Sequence, residues 1–363
     1  MTLSVALRHS LGEFRLDVDF TAPPGLTVLY GASGSGKTSV VNAVAGLLRP
    51  QAGRIVVGER VLADTEAGLF LPPHRRRIGY VFQEGRLFPH LTVRQNLLFG
   101  RWFAPRGLPR ESLERVVAML GIGPLLARRP GALSGGEKAR VGLGRALLSA
   151  PRLILADEPL AALDEARKAE ILPYFERLRD EAGVPILYVS HSTAEVARLA
   201  TTVVALRGGR VAAVGPPAEV LASAEATDLQ ELSSLLTARI VAHHPDGLSE
   251  LAAEAGTLWL PQVPAPPGAR IRIRIAAQDV ILARSRPEGL SALNLLQGRI
   301  ERLADGPGGR VLVMLAAGED RLTALVTRRS AAAMALAEGE TCHAIVKTVA
   351  IAPGGVGAAP DRR

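Results

Sequence analysis

The chain has 363 residues, of which 48% are hydrophobic and 21% charged, and its formal net charge is +8. This length favours two domains with separate cores, and this composition excludes an intrinsically disordered chain. Because no uncharged apolar run reaches about 18 residues and the N-terminus lacks a signal-peptide pattern, we expect a protein that neither spans a membrane nor leaves the cytoplasm.

The basic residues do not form a nucleic-acid-binding pattern, because they are scattered and no patch interleaves them with aromatic residues. Of the 43 basic residues only four are lysines, namely Lys37, Lys138, Lys168 and Lys347. A lysine kept in such an arginine-rich chain is a candidate for a role as a compact point charge, and Lys37 fits that interpretation best. The single cysteine, Cys342, agrees with a reducing compartment and is simply interpreted as a small buried hydrophobic residue.

Strand-like and helix-like segments alternate over the first 215 residues or so, which predicts an α/β domain with a largely parallel sheet. Strands are predicted at LTVLY (Leu26 to Tyr30) and in RIGYVF, LILAD and PILYVS. Helices are predicted over four segments: Thr38 to Leu48, Glu111 to Leu120, Glu137 to Ala150 and Arg167 to Ala182.

From about Leu235 the sequence changes to short β-like runs such as RIRIRI, RVLVML and AIVKTVAI, separated by Gly, Pro and Asp turns. This pattern predicts a small all-β domain, within which two related modules could lie. We place the domain boundary near residue 235, giving domains of residues 1–235 and 236–363.

The segment GASGSGKT follows a predicted strand and opens a predicted helix, which is the context of a Walker A phosphate-binding loop. We expect Lys37 to reach the β and γ phosphates of ATP and the Thr38 hydroxyl to hold Mg²⁺. An ordinary glycine-rich turn is the simpler alternative, but this motif with this setting rarely arises by chance. The loop residues are Gly31, Ala32, Ser33, Gly34, Ser35, Gly36, Lys37 and Thr38.

The apolar strand LILA delivers Asp157 and Glu158 at its carboxyl end, the edge where α/β sheets bind ligands. Asp157 would contact Mg²⁺, and Glu158 would act as the general base for the attacking water. Two adjacent acids can also be a helix N-cap, but the Walker A loop favours the catalytic interpretation.

LSGGE supplies a second helix start that could face an anion, 19 residues before the strand that ends in Asp157. Ser134 is predicted to cap the helix, while Gly135 and Gly136 would let the helix N-terminus approach an anion closely.

Together these motifs resemble the ATPase subunits of ABC transporters over the whole first domain, which implies a P-loop NTPase fold with a helical subdomain. The resemblance assigns Gln83 to the Q-loop as a Mg²⁺ contact, Ala162-Leu163-Asp164 to the D-loop and His191 to the switch histidine at the γ-phosphate. In that family the signature helix of one subunit closes on ATP held by another, so one copy of each motif implies a homodimer. Phe14 is a candidate for stacking on adenine, and equally for an apolar strand residue.

The resemblance extends over nearly the whole chain to the ATP-binding subunit of molybdate importers, through LGEFRLDVDF, YVFQEGRLFPHLTVRQNL, LSGGEKAR, ILYVSHS, VAHHPDG and RIRIAAQDVIL. The second domain resembles that family's small all-β barrel of the mop/TOBE type, through SALNLLQGRI and AIVKTVAI. Candidate oxyanion contacts are Ser291, Asn294, Lys347 and Thr348, whose alternative is a set of turn and edge-strand polar residues. The family commonly has arginine where this chain has Leu293, which predicts weakened anion regulation.

The resemblance implies an ATPase at the cytoplasmic face of the membrane, with ATP and Mg²⁺ at its site. It also implies a separate permease dimer and, through that dimer, an extracytoplasmic molybdate-binding protein. Import of another oxyanion such as sulfate is the alternative within the class. A nucleic-acid-associated ABC ATPase lacks support from a basic aromatic patch, and an anion-storage protein would be expected to carry a damaged nucleotide site.

Overall fold

The structure is a computed structural model that describes residues 2–83, 85–103, 111–161, 163–228, 231–351 and 353–360. Its chain divides into two compact units. The first contains Met1–Ser192 and Leu199–Pro216, and the second contains Thr193–Arg198 and Pro217–Asp361. The division after Pro216 lies earlier than the boundary near residue 235, which stays a prediction.

The described strands of the first unit form one mixed sheet with the order β6-β5-β4-β1-β2-β11-β10-β3-β9-β8-β7. Strands β10, β3, β9, β8 and β7 are parallel to their neighbours within that run, whereas β1, β2, β4 and β5 pair antiparallel. The strands are β1 (Leu3–Leu11), β2 (Phe14–Ala22), β3 (Leu26–Tyr30), β4 (Ala52–Val57), β5 (Arg60–Asp64), β6 (Leu69–Phe70), β7 (Ile78–Val81), β8 (Leu153–Asp157), β9 (Ile186–Ser190), β10 (Thr202–Arg207) and β11 (Arg210–Gly215).

Four of the helices match the predicted segments, with ends shifted by up to three residues, and the other helices had no predicted bounds. The helices are α1 (Lys37–Ala45), α2 (Pro73–Arg76), α3 (Val93–Phe103), α4 (Leu113–Leu120), α5 (Gly135–Leu148), α6 (Glu165–Glu181), α7 (Thr193–Leu199), α8 (Pro217–Ala222) and α9 (Arg328–Ala333). Short 3₁₀ turns occur at Gly123–Leu125, Pro130–Ala132, Ala277–Asp279, Thr348–Ala350 and Pro353–Gly355. Among the described helices none has both the length and the apolar character needed to cross a membrane.

The central parallel strands are mostly apolar because both faces of the sheet are covered. All five residues of β3 and all five of β9 are buried. The apolar residues of α1, including Val40 and Val44, belong to the same core as β3 and β8. The prediction of an α/β domain is therefore confirmed, but its sheet is mixed: it is parallel from β10 through β7 and antiparallel from β6 through β2.

The second unit contains two antiparallel five-stranded sheets with the orders β14-β13-β12-β15-β21 and β16-β20-β17-β18-β19. In β15 the sequence RIRIRIA places every isoleucine in the core and every arginine outward. Residues from both sheets form one apolar core, so the prediction of a small all-β fold is confirmed. The strands are β12 (Ser233–His243), β13 (Leu248–Ala253), β14 (Gly256–Pro261), β15 (Arg270–Ala276), β16 (Ile281–Ala283), β17 (Asn294–Gly306), β18 (Arg310–Ala317), β19 (Asp320–Thr327), β20 (Thr341–Val346) and β21 (Val356–Ala358).

Candidate functional site

Four neighbouring parallel strands, in the order β3-β9-β8-β7, end at the same edge of the first sheet. Tyr30 pairs with Ser190, and Val189 pairs with Asp157, so the strand ends are level. The predicted site residues follow directly: the glycine-rich loop after β3, His191 after β9 and Glu158 after β8. Gln83 follows β7 by two residues and is exposed. The topology thus gathers residues that are up to about 160 positions apart in the sequence.

Glycine is required at the end of the loop, where α1 begins. Gly36 has φ 104°, in the left-handed region that favours glycine. A Cβ at this position would lie 2.7 Å from Leu16 Cδ1 and 3.3 Å from Phe14 Cζ. Phe14 is half-buried, and its ring lies beside the loop while it also packs against the core of the unit. Its stacking on adenine stays a prediction beside the simpler role in the core.

The Lys37 ammonium lies inside the loop. Its Nζ donates hydrogen bonds to the carbonyl oxygens of Gly31 (2.7 Å) and Ala32 (2.8 Å). Burial lowers the pKa of Lys37, while the nearby carboxylates of Glu158 and Asp157 oppose that shift. The cation is therefore held within the loop, close to the carboxylates at the end of β8.

The rest of the loop offers donors to such an anion. Ser33, Gly34 and Thr38 are exposed, so their backbone and hydroxyl groups are accessible. The Ser35 hydroxyl is buried and has no hydrogen-bond partner among the described residues. A buried hydroxyl without a partner is costly, and a phosphate oxygen would satisfy it.

Asp157, the last residue of β8, is held by a neighbour that the sequence analysis did not identify. The Tyr80 hydroxyl, on the adjacent strand β7, donates a hydrogen bond to Asp157 Oδ2 at 3.2 Å. Burial raises the pKa of Asp157, and the Tyr80 hydrogen bond opposes that shift. Burial and the Asp157 charge together raise the pKa of Tyr80, so this hydroxyl remains a donor at neutral pH. Only the lateral pairing of β7 with β8 brings the two side chains together.

Glu158 and His191 lie next to each other at the same edge. Glu158 Oε2 is 3.5 Å from His191 Nδ1, and the side chains are 23% and 54% exposed, respectively. Glu158 has φ 43°, an unusual value for a non-glycine residue, and its amide donates to the Val189 carbonyl at 3.2 Å. Strained backbone of this kind is common at functional sites. The carboxylate reaches solvent beside an imidazole, which suits a base that acts on a bound water.

The LSGGE segment forms the N-terminus of α5 as predicted. Ser134 accepts from the Glu137 amide (3.2 Å), and Glu137 Oε2 accepts from the Ser134 amide (2.7 Å), which completes a capping box. Gly135 is exposed at the first turn. Gly136 is buried, and a Cβ there would lie 2.9 Å from Ile171 Cδ1, so this glycine also serves the packing of α5 against α6.

Within one chain the signature residues and the phosphate loop line different spaces. A cavity of about 550 Å³ is lined by Gln83, Gly135 and Leu163, among others, and by no residue of the loop 31–38. Asp164 caps α6 by accepting from the Arg167 amide at 2.9 Å, and its side chain is exposed. Ala162 of the predicted D-loop lies outside the described residues. Ser134, Gly135 and Asp164 are thus exposed in one chain, as a site shared between two chains would require.

The residues present suit a hard divalent cation that is bound together with a nucleotide. Asp157 supplies a carboxylate, and Thr38 and Gln83 supply exposed neutral oxygens. In the described part of the chain no group of three or more His, Cys, Asp or Glu side chains is placed to hold a metal. Because Mg²⁺ commonly takes one or two protein carboxylates plus phosphate oxygens and water, the donor set fits it.

The oxyanion candidates of the second unit are in different environments. Ser291 and Lys347 are exposed, and the half-buried Thr348 has a hydroxyl without a described hydrogen-bond partner. Asn294 is fully buried: its Oδ1 accepts from the Trp259 amide (2.6 Å), and its Nδ2 donates to the Trp259 carbonyl (3.2 Å). This amide therefore bridges β17 and β14, a structural task that local sequence did not indicate, and its contact with an oxyanion stays a prediction.

Two family models match the chain. The ABC transporter model matches residues 16–161, and the TOBE domain model matches residues 290–353. The match to the first model includes the phosphate loop, the signature segment and the Asp157–Glu158 pair. The second match includes all four oxyanion candidates.

Curated relatives match over nearly the full length of the chain. The molybdenum import ATP-binding protein ModC of Rhizobium etli is 52% identical over 97% of this chain and 99% of its own length. The ModC proteins of Rhizobium meliloti and Mesorhizobium japonicum are 52% and 48% identical over 97% and 99% of this chain, and over 99% and 98% of their own lengths. Among solved structures, cbiO1 of Clostridium perfringens, part of the ABC transporter complex cbiONQ, is 27% identical with a TM-score of 0.51. That match spans 61% of this chain and 91% of the other.

Proposed function

The chain belongs to the ATP-binding proteins of ABC-type molybdenum import, and from that membership we propose that it hydrolyses ATP to energise molybdate import through a separate membrane permease. The ATPase would act as a homodimer at the cytoplasmic face of the membrane. The permease dimer would in turn receive molybdate from an extracytoplasmic binding protein. The relatives named for molybdenum import match this chain over 97% or more of its length, which supports this substrate.

One observation carries the ATPase part of the proposal. The carboxyl ends of β3, β9 and β8 bring a buried ammonium, a half-buried carboxylate and a solvent-accessible carboxylate–imidazole pair to one edge of a sheet. The ammonium is that of Lys37, the half-buried carboxylate is that of Asp157, and the pair is Glu158 with His191. Phosphoryl transfer to water needs a cation that binds phosphate, a carboxylate that binds Mg²⁺ and a base that accepts a proton from water.

In this arrangement Lys37 exchanges its loop carbonyl partners for β- and γ-phosphate oxygens, which compensates its buried charge. Asp157, Thr38 and Gln83 would hold Mg²⁺, which when bound neutralises charge on the β- and γ-phosphate oxygens. Tyr80 fixes the Asp157 carboxylate through its hydrogen bond.

Hydrolysis then depends on two groups beside the γ-phosphate. Glu158 would accept a proton from the water that attacks the γ-phosphorus, while the bond from that phosphorus to the β–γ bridging oxygen breaks and ADP leaves. His191, 3.5 Å from the carboxylate, would help to orient the water and contact the γ-phosphate. The loop amides and the N-terminus of α1 balance the charge on the phosphates.

The second copy would complete each site. The N-terminus of α5 begins with the exposed Ser134 and Gly135, followed by the buried Gly136. Backbone amides at this helix start would bind the γ-phosphate held by the other chain. Asp164 would contribute from the same side. ATP binding would close the dimer, and hydrolysis with phosphate release would open it, so that the permease changes its direction of access.

The second unit would bind molybdate or tungstate as a regulator of transport. Ser291, Lys347 and Thr348 provide hydroxyl and ammonium donors, and the partnerless Thr348 hydroxyl favours an anion nearby. Leu293, which is 49% exposed, supplies no such donor. We therefore expect anion regulation through this unit to be weakened or lost, and transport not to depend on it.

Uptake by proteoliposomes that contain this chain, its permease and the binding protein tests the proposal. We expect uptake of radiolabelled molybdate that requires Mg²⁺ and ATP and is abolished by Lys37→Ala. Lys168→Ala, which removes an ion pair to Glu165 far from the phosphate loop in sequence, is the matched control and should leave uptake unchanged. Uptake of sulfate in preference to molybdate would contradict the substrate, whereas uptake without ATP would contradict the ATPase role.

A further inference from the structure

The Asp157 carboxylate accepts one hydrogen bond within the described part of the chain. The Tyr80 hydroxyl donates this bond to Oδ2 at 3.2 Å, and no described group donates to Oδ1. Glu158 and Lys37 act on the carboxylate through their charges, but Lys37 Nζ donates its hydrogen bonds to two carbonyls of the phosphate loop. Tyr80 therefore determines which oxygen of Asp157 is left for a cation.

The two side chains lie on one face of the strand pair β7–β8. Tyr80 pairs with Leu155, and Asp157 lies two residues beyond Leu155, so all three side chains point to the same side of the sheet. The other residues of this face, Ile78 and Leu153, are apolar and pack in the core that also contains α1. The carboxylate is thus at the end of an apolar strip, where Tyr80 is its one described hydrogen-bond donor.

The Tyr80 ring is held in place by its neighbour on the same side of the chain. The rings of Tyr80 and Phe82 are stacked, with their centres 4.0 Å apart and their planes 20° from parallel. The Arg86 guanidinium lies 4.5 Å from the centre of the Phe82 ring. Because the stack restricts rotation of the tyrosine ring, the hydroxyl is pre-organised toward Oδ2 of Asp157. Phe82 also directly precedes Gln83, another candidate ligand of the cation.

Packing of the core does not account for the Tyr80 hydroxyl. A phenylalanine would fill the same half-buried space and would need no hydrogen-bond partner. What tyrosine adds is the bond to Asp157. Groups that hydrogen-bond a metal ligand fix its orientation, and their loss typically lowers metal affinity about 10–100-fold.

From this geometry we propose that Tyr80 is a positioning residue for the divalent cation that accompanies ATP. It holds Asp157 by Oδ2 and so presents Oδ1 to the cation, directly or through one water. Tyr80 itself touches neither the nucleotide nor the attacking water. This inference rests on the proposed ATPase function, because the cation concerned is the Mg²⁺ of that reaction.

Calorimetric titration of the full chain with AMP-PNP, an ATP analogue that resists hydrolysis, tests the role of Tyr80. The titration is made once in EDTA and once in excess Mg²⁺, and the ratio of the two Kd values measures how much Mg²⁺ strengthens nucleotide binding. We expect Tyr80→Phe to lower this ratio about tenfold. The Kd in EDTA should stay unchanged, because the contacts of the phosphate loop do not involve Tyr80.

ATP hydrolysis provides a second measurement. The Mg²⁺ concentration that half-saturates hydrolysis should rise about tenfold in Tyr80→Phe, whereas kcat at saturating Mg²⁺ should change much less. A hydroxyl that served only the fold would not produce this separation, since its loss would lower the stability of the chain without changing its dependence on Mg²⁺.

Tyr174→Phe is the matched control. It removes the same hydroxyl from α6, where the Tyr174 oxygen accepts a hydrogen bond from Arg140 Nη1 at 3.2 Å. Its ratio of Kd values should equal that of the wild type.

Two results would overturn the role of Tyr80. One is an equal ratio of Kd values for Tyr80→Phe and Tyr174→Phe, and the other is a loss of affinity by the same factor in EDTA and in Mg²⁺. Either result would leave the ATPase proposal standing, as long as Mg²⁺ strengthens binding to the wild type. A wild-type chain whose affinity for AMP-PNP is the same in EDTA and in Mg²⁺ would contradict both proposals.

Discussion

Arg76 supports the helix that carries Lys37, and its replacement by leucine should destabilise the first unit. The side chain is 1% exposed at the end of α2. Its Nη1 donates to the carbonyls of Ala43 (2.7 Å) and Val44 (2.8 Å) at the C-terminus of α1, and its Nε donates to Leu71 (2.7 Å). The Ala43 and Val44 carbonyls lie in the last turn of α1, which has no basic residue of its own to donate to them.

The loss of stability expected for Arg76→Leu is the balance of two opposing contributions of the guanidinium. Three hydrogen bonds from a charged donor contribute about 1.5–3 kcal/mol each, and desolvation of the guanidinium costs several kcal/mol. Burial lowers the pKa of Arg76 to about 10, which leaves it charged at neutral pH. The guanidinium also lies 4.7 Å from the centre of the Phe70 ring. With leucine in its place all three carbonyls lose the guanidinium, and in the described part of the chain only that of Ala43 keeps another donor, the Gly46 amide. We therefore expect a loss of about 3 kcal/mol in the free energy of unfolding.

Differential scanning calorimetry measures this loss in the transition that Mg·ATP shifts to higher temperature. For a unit of this size the expected decrease in Tm is about 6–12 °C. Arg75→Leu is the control, because this neighbouring arginine on α2 is exposed, and it should change stability by less than about 0.5 kcal/mol. Equal Tm values for Arg76→Leu and Arg75→Leu would refute the reasoning.

Three further variants or treatments test particular contacts. Gly46→Ala should lower the Tm of the first unit, because Gly46 has φ 84° and a Cβ would lie 2.5 Å from Arg76 Nε; a Tm equal to wild type in the same calorimetric scan would contradict this. Cys342 should react with Ellman's reagent at pH 8 much more slowly in the folded chain than in denaturant, because burial raises the pKa of its thiol; equal rates would contradict this. Asn294→Leu should destabilise the second unit by about 1–3 kcal/mol in urea unfolding, because the Trp259 amide and carbonyl lose their partners; an unchanged midpoint would contradict this.

Local motifs predicted the nucleotide-binding part of the molecule well. The LILAD strand was predicted with the bounds that the structure has, and α5 begins two residues before the predicted start because Ser134 forms its capping box with Glu137. These features depend on residues within a few positions of one another, so a single sequence contains the information. The position of Asp157 and Glu158 at the ligand-binding edge was also expected, because α/β sheets bind ligands at the carboxyl ends of their strands.

The features that were not predicted depend on tertiary packing. Nothing in RIGYVF indicates that Tyr80 donates to Asp157, 77 residues later, because only the pairing of β7 with β8 brings them together. The same holds for two other hydrogen-bonded pairs. Arg76 and Ala43 are 33 residues apart in the sequence, and Asn294 and Trp259 are 35 residues apart. The sequence pattern indicates which residues are polar, whereas the fold determines whether they bind a ligand or another part of the chain.

Hydrolysis by the Glu158→Gln variant tests the central claim most directly. The account predicts that this substitution, which keeps the shape but removes the base, lowers steady-state ATP hydrolysis by about 10²–10⁴-fold. ATP should still bind, so light scattering with Mg·ATP should detect a persistent dimer. Glu165→Gln, an exposed acid paired with Lys168, is the control and should hydrolyse ATP at the wild-type rate. Near-normal hydrolysis by Glu158→Gln would contradict the assignment of the catalytic site.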